Sequence, residues 1–116
     1  TAATRKPIPA ALVATETRDE MVSVQFPGTL GVLPNHGRFE PLDWGLGVAL
    51  KTATPGHWTG SLTSPRTFGH FGGSGTFLWV DPDRAVACAV LTTREFGEWA
   101  KVEWPLLSDA VLRELL

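Results

Sequence analysis

The stretch "FGHFGGSGTFLWVDP", residues 68–82, joins a glycine-rich cluster to an apolar run. Four glycines fall within seven residues, between positions 69 and 75, together with one histidine and one serine. Glycine adopts left-handed backbone conformations and lets other groups approach the chain closely. The cluster could therefore be a turn between strands, a phosphate-binding loop, a nucleophile elbow or the wall of a binding site.

Three strand candidates surround the glycine cluster, at residues 67–72, 75–81 and 85–93. The Asp-Pro-Asp-Arg sequence at positions 81–84 is typical of a turn, which predicts an antiparallel hairpin between the second and third candidates. The third, AVACAVLTT, is apolar on both faces, which predicts a buried central strand. Its lone cysteine, Cys88, is expected to pack in the core as a small apolar side chain.

The upstream part of the chain predicts less regular structure. An N-terminal loop and short helix are expected over residues 1–23, and the helix pattern itself extends over residues 15–24. Thr17 and Glu20 have the spacing of a capping box. The segments that follow are a loop over residues 33–43, a strand over 44–51 and a connector over 52–66. Connectors of this length are often functional or belong to a larger assembly.

The end of the chain, residues 96–116, predicts a helix. Pro105 has no N–H and clashes with the preceding turn, so a break is expected there, with Pro105 in the first turn of a second segment. Leu106, Leu107, Ala110 and Val111 have helical spacing and are expected to pack on the sheet. Together the segments predict an α+β fold, in which antiparallel strands within residues 44–93 are covered by the C-terminal helix.

Composition excludes several classes of function. The 116 residues fit one domain, and the net charge of −2 with scattered basic residues argues against binding to nucleic acid. No apolar run approaches the ~20 residues that span a bilayer, so no membrane span is expected. His36, His57 and His70 lack the paired spacing of metal ligands, and neither a metal nor an organic cofactor is predicted.

Two readings of the glycine cluster fail on its sequence. A nucleophile elbow centred on Ser74 would need a glycine at Thr76, and it would need a helix rather than a strand to follow. Neither phosphate-loop pattern occurs, and no helix begins after the cluster to receive an anion. A turn and the wall of a site remain.

The segment "GHFGGSGTFLWVDPDRAVACAVLTTR", residues 69–94, resembles the C-terminal portion of the serine β-lactamase and penicillin-binding-protein superfamily. It is most similar to the branch of esterases, D-amino-acid peptidases and β-lactamase-related hydrolases, in which a strand carries a His-x-Gly motif. "DWGLGVAL", residues 43–50, is similar to the strand that precedes this region. The resemblance covers roughly residues 24–116.

The resemblance implies a role for each residue of the cluster. His70, Phe71 and Gly72 would form one wall of the active-site cleft, where His70 would help to position a hydroxyl-bearing proton shuttle. Gly72 would let substrate lie against the strand. Gly73 would offer its N–H to the oxyanion hole, and Ser74 would be a polar lining group.

Phe71 departs from the commoner pattern of the family. A threonine or serine at this position donates a hydroxyl hydrogen bond to a substrate carboxylate, and phenylalanine has no such group. The departure favours an ester or an apolar acyl substrate over a carboxylate-bearing one. Alternatively, Phe71 simply faces the core.

The nucleophile of the family is absent from these residues. The chain has three lysines, Lys6, Lys51 and Lys101, and none follows a serine in a Ser-x-x-Lys motif; it also has no tyrosine. We therefore expect the C-terminal segment of a longer serine hydrolase that works through an acyl-enzyme, inactive by itself. Its expected partners are the N-terminal part of the same hydrolase or a second copy, and some of its five tryptophans are expected to be exposed.

Two alternatives stay open at this point. The chain could be a non-catalytic binding or scaffold domain that kept the sheet and lost the chemistry. It could also be an unrelated α+β domain in which "HFGGSG" is only a turn.

Overall fold

A computed structural model describes residues 11–33 and 35–116. Within them the elements are α1 Thr15–Met21, β1 Gly31–Leu33, β2 Gly37–Phe39, β3 Ala49–Leu50, β4 Phe68–Phe71, β5 Phe77–Asp81, β6 Val86–Val90 and α2 Glu98–Leu115. Strands β3 to β6 form an antiparallel sheet in the order β3-β4-β5-β6, and β1 and β2 form a separate hairpin. The predicted α+β class, with an antiparallel sheet and a C-terminal helix packed on it, is confirmed. The loop expected at the N-terminus lies partly outside the described residues.

Strand register gives the sheet two different faces. Side chains alternate along a strand, so residues paired across the ladder share a face. The inner face, which α2 covers, carries Gly69, Phe71, Phe77, Trp79 and Cys88. The outer face carries His70, Leu78 and Ala89, and all three are exposed. The glycine cluster therefore stands at the end of β4 where the outer face is open at His70, although Phe68 farther along the same face is buried.

Helix α2 packs on the inner face through one stripe of side chains. Trp104 and Leu112 are buried with Trp58 and Trp79 in the core, and the Trp79 indole donates a hydrogen bond to Ser108 Oγ at 3.0 Å. The expected exposure of tryptophans is wrong, since none of the five is exposed. Neither α2 nor the shorter helix in the described part of the chain is long and apolar enough to cross a membrane.

Two predictions about α2 are also wrong. The helix continues through Pro105 without a break, because Trp104, Ser108 and Leu112, spaced four residues apart, are all held in the interior. This packing outweighs the roughly 3 kcal/mol that a proline costs inside a helix. The apolar residues expected on the sheet, Leu106, Leu107 and Ala110, are instead exposed, and Val111 is half-buried.

Strand β6 is the edge of the sheet rather than its centre. Its side chains alternate between half-buried and exposed, and the exposed ones, Ala87 and Ala89, lie on the outer face. The prediction of a central strand is wrong because the apolar residues that suggested burial on both faces are uncovered on one of them.

The upstream half departs from prediction in local detail. Helix α1 ends at Met21 and has Ala14 at its N-cap with no side-chain hydrogen bond, so the predicted capping box is wrong. Only Ala49–Leu50 of the predicted strand 44–51 pairs as a strand, since residues 45–48 form a turn in which the Gly45 N–H donates to the Val48 carbonyl at 2.9 Å. The hairpin of β1 and β2 begins before the predicted loop and extends into it.

The connector over residues 52–66 contains no helix or strand, as predicted, and is held by buried polar groups. Lys51 donates from Nζ to the carbonyls of Gly60 and Thr63, at 2.9 and 2.6 Å. Asp109 accepts from the Ser61 and Leu62 amides, at 2.8 and 2.9 Å. These bonds satisfy backbone groups that no ladder partner reaches. The connector is thus a fixed part of the fold.

Candidate functional site

The glycine cluster closes a short turn between β4 and β5. The Gly72 N–H donates to the Thr76 carbonyl at 2.8 Å, and the Gly75 N–H donates to the Gly72 carbonyl at 3.0 Å. Strands β4 and β5 are neighbours, with Phe71 opposite Phe77. The interpretation of the cluster as a turn between two strands is therefore correct for its backbone. Whether the turn can also form the wall of a site depends on each glycine separately.

Two glycines of the cluster are required by the fold. A Cβ at Gly69 would stand 2.0 Å from the Leu78 carbonyl oxygen, and one at Gly75 would stand 1.8 Å from the Arg94 carbonyl oxygen. Gly75 also has a left-handed φ of +85°. The Thr92 hydroxyl donates to the Gly75 carbonyl at 3.0 Å and so ties the turn to the segment after β6. Any larger residue at either position collides with backbone.

The other two glycines have no such requirement. A Cβ at Gly72 would meet the hydroxyls of Ser74 and Thr76 at 3.5 Å, an ordinary contact, and one at Gly73 would meet nothing within 4 Å. Neither residue is among those with positive φ. The described part of the chain gives no packing or conformational reason for glycine at these two positions.

Gly73 is held by its carbonyl and not by its amide. The carbonyl accepts from the Phe96 N–H at 2.9 Å, whereas the Gly73 N–H finds no acceptor among the described residues. Ser74 next to it is exposed, and its hydroxyl lies 3.1 Å from that of Thr76. The turn therefore presents an unused N–H donor at Gly73, beside a pair of hydroxyls.

His70 stands on the outer face, exposed, directly opposite Leu78 of β5. Its imidazole has no hydrogen-bond partner within residues 11–33 and 35–116, and it contacts aromatic rings instead. The ring centroid lies 5.0 Å from that of Trp44 and 5.3 Å from that of Phe71, and the Phe71 ring is nearly parallel to it.

Phe71 is half-buried and belongs to the aromatic packing of the core. Its ring stacks on Phe96 with a centroid separation of 5.1 Å and meets Trp58 and Trp104 at 5.5 and 5.4 Å. Its position beside His70 still places it at the rim of the turn. Sequence reasoning had no means of finding Trp44 and Phe96, because both contacts join segments distant along the chain.

Of the other two histidines, His57 belongs to the connector, whereas His36 contacts the rim of this turn through Phe71. Burial, followed by the charge of Lys51, lowers the pKa of His57 to about 3, and the His57 Nδ1 lies 2.8 Å from the Thr59 hydroxyl. Burial also lowers the pKa of His36, whose ring packs edge-on against Phe71. Throughout residues 11–33 and 35–116, no three His, Cys, Asp or Glu side chains are grouped so as to hold a metal ion.

Comparison with known proteins identifies relatives of the chain. A family model described as β-lactamase matches residues 9–112. The chain is 52% identical to a β-lactamase from Mycobacterium bovis of known crystal structure and superposes on it with a TM-score of 0.82. The match covers 86% of this chain and 37% of the M. bovis chain, so this chain spans little more than a third of that relative. None of the curated proteins matches it significantly.

Proposed function

Because this chain belongs to the β-lactamase family, we propose that it is the C-terminal segment of a serine hydrolase that cleaves esters or amides through an acyl-enzyme. In this proposal the segment supplies one wall of the cleft, formed by His70, Phe71 and Gly72, and one oxyanion donor, the Gly73 N–H. The catalytic serine and lysine belong to the rest of the longer protein, since the chain has no Ser-x-x-Lys.

One observation carries the proposal: Gly72 and Gly73 are glycines without a structural reason, at an open strand end. Gly73 keeps its N–H unused and its surroundings empty, while its carbonyl is fixed at 2.9 Å from the Phe96 N–H. A donor that is held in place before the substrate arrives is what an oxyanion hole requires, because no reorganisation accompanies the reaction. A bare Cα at Gly72 leaves room for the acyl group to lie along β4.

The proposed reaction uses the Gly73 N–H at the oxygen where negative charge develops. The serine oxygen attacks the carbonyl carbon, its proton passes to the neighbouring base, and the negative charge that develops on the carbonyl oxygen is met by the Gly73 N–H. The leaving alcohol or amine takes a proton as the bond to the carbonyl carbon breaks. Water then attacks the acyl-enzyme in the same geometry and releases the acid. His70 lines the cleft and orients the proton shuttle.

The open outer face agrees with a missing partner segment. Leu78 is 52% exposed there, and the edge strand β6 exposes Ala87 and Ala89 beside it. In this proposal the N-terminal part of the same hydrolase covers the outer face and brings the nucleophile opposite His70. The substrate is a small ester or amide with an apolar acyl group, since Phe71 offers no hydroxyl to a carboxylate.

A chimaera tests this function. The matching part of the M. bovis β-lactamase is replaced by this chain, and hydrolysis of p-nitrophenyl esters and of a chromogenic β-lactam is measured, with fluorophosphonate labelling to report the nucleophile. Gly73→Pro removes the N–H, so kcat is expected to fall by about 10²- to 10³-fold. Gly73→Ala keeps the N–H and adds a methyl group into empty space, so it is expected to retain activity within a few-fold.

Two results would contradict the proposal. One is equal activity of the two Gly73 variants in chimaeras that melt at the same temperature. The other is a folded chimaera that neither hydrolyses nor labels while the M. bovis parent does both, which would favour the non-catalytic binding domain. Arg66→Ala serves as a surface control, because Arg66 is exposed and its ion pair with Asp83 lies at the surface.

A further inference from the structure

The imidazole of His70 contacts aromatic rings, and none of the residues that the structure describes gives it a hydrogen bond. Trp44 lies on one side with a centroid separation of 5.0 Å, and Phe71 lies alongside at 5.3 Å with an interplanar angle of 15°. Phe71 in turn stacks on Phe96 at 5.1 Å. The four rings form a continuous series of contacts at the end of β4, in which the Trp44–His70 pair is tilted by 54° and the other two pairs are nearly parallel; we name this series the strand-end stack.

Both ends of the strand-end stack are fixed by backbone. The Trp44 carbonyl accepts from the Gln25 N–H at 2.7 Å, and Trp44 bridges to Ala49 at the start of β3. At the other end the Phe96 N–H holds the Gly73 carbonyl at 2.9 Å. The main chain on either side of His70 in this series is therefore held by backbone hydrogen bonds.

We infer that Trp44 is a positioning residue that fixes the imidazole of His70 at the end of β4. This inference rests on the proposed function for its catalytic meaning, although the contact itself does not. A histidine that is to orient a proton shuttle needs one ring orientation, and here the described residues supply no hydrogen bond to set it. The indole takes that place, since tilted aromatic pairs at this separation have a preferred geometry.

The indole also determines what reaches the exposed imidazole. Trp44 is half-buried, and its indole lies beside the exposed imidazole of His70. The Trp44 and Phe71 rings each cover part of the imidazole, which stays exposed elsewhere. Substrate and shuttle would therefore approach the imidazole from the part that neither ring covers.

Proton NMR of the 116-residue chain tests the inference. In the unmodified chain, nuclear Overhauser effects are expected between the Trp44 indole and the His70 imidazole, and the ring current of Trp44 is expected to displace the His70 signals. Trp44→Leu should remove that displacement and leave the His57 signals unchanged. Trp44→Phe should restore most of it, because an aromatic ring returns. Trp99→Leu removes another half-buried indole, one not paired with His70, and should leave His70 unaffected.

The outcomes separate this inference from the proposed function. Absence of the indole–imidazole effects in the unmodified chain would overturn the positioning role, and this measurement needs no variant to fold. Unchanged His70 signals in a folded Trp44→Leu chain would overturn it as well. Neither result depends on hydrolysis, so failure of the chimaera to cleave esters would leave the contact between Trp44 and His70 standing.

Discussion

The connector at residues 52–66 and the turn at residues 72–75 both lack helix and strand, yet their surroundings are opposite. Buried side chains hold the connector from three directions, through Lys51, Asp81 and Asp109. The turn is held by a few backbone hydrogen bonds, and it leaves the space beside Gly72 and Gly73 open. Irregular backbone whose polar groups are hydrogen-bonded by buried side chains is part of the scaffold. Irregular backbone with an unused N–H donor and empty space beside it can bind a substrate.

Breaking the connector should have the largest effect on stability. Asp81 is fully buried and accepts from both the Ser64 amide and the Ser64 hydroxyl at 2.7 Å. Asp81→Asn places an amide group against these two donors. It also removes the buried negative charge that faces the Arg84 guanidinium at 3.5 Å. The free energy of unfolding, measured with urea, is expected to fall by about 3–5 kcal/mol. Asp83→Asn, at the exposed pair with Arg66, should change it by less than about 1 kcal/mol. Similar losses in both variants would mean that the connector is not held as described.

Alanine substitutions at the glycines of the turn should change the free energy of unfolding by different amounts, according to the space around each glycine. Gly75→Ala meets the Arg94 carbonyl and requires a left-handed conformation, so the free energy of unfolding should fall by about 3 kcal/mol. Gly72→Ala meets only ordinary contacts and should stay within about 1 kcal/mol of the unmodified chain. Chemical denaturation of both variants checks the pair. A loss at Gly72 as large as that at Gly75 would show that the open half of the turn is structural too.

Acid should lower the free energy of unfolding through His57, which lies in the connector. The pKa of His57 is about 3 in the folded chain because the ring is buried, and 6.5 is its ordinary value. Between these two pKa values the unfolded chain binds a proton at His57 and the folded chain does not. The stability that His57 contributes is therefore present above pH 6.5 and is lost as the pH falls toward 3. Between pH 7.5 and pH 5 the loss should be about 2 kcal/mol.

The variant His57→Gln is the control for this pH dependence. In this variant the free energy of unfolding should change much less between pH 5 and 6.5. A smaller change should remain from His36, whose pKa is also lowered by burial. Asp81 and Asp109, whose carboxyl pKa values are lowered by hydrogen bonds, act only at more acid pH. An unchanged slope in His57→Gln would assign the acid sensitivity to other groups.

The sequence was informative wherever short-range pattern decides structure. The turn at 81–84, strands β4 to β6 and the terminal helix follow from turn residues and apolar periodicity, and their pairing follows from chain order. Predictions from the sequence pattern were wrong where contacts with other parts of the chain decide the structure. The apolar residues of β6 suggested a central strand, but their outer side is bare in this chain. Pro105 suggested a break, but the buried stripe through Trp104 and Leu112 holds the helix together.

The candidate site shows the same division. The sequence motif pointed to residues 70–74, and the structure brings them to one strand end with Gly73 unused as a donor. Which glycines are structural could not be read from the sequence, because the collisions at Gly69 and Gly75 involve Leu78 and Arg94, whose positions depend on strand pairing. Trp44 was missed for the same reason.

The most direct test of the central claim is the crystal structure of the chimaera after reaction with a fluorophosphonate. The account predicts a phosphonyl group on the serine of the M. bovis part, with one phosphonyl oxygen about 3 Å from the Gly73 nitrogen and His70 facing the adduct. An adduct whose oxygens are bound elsewhere, with the Gly73 N–H turned to solvent, would contradict the account and leave the glycine turn as a connection between two strands.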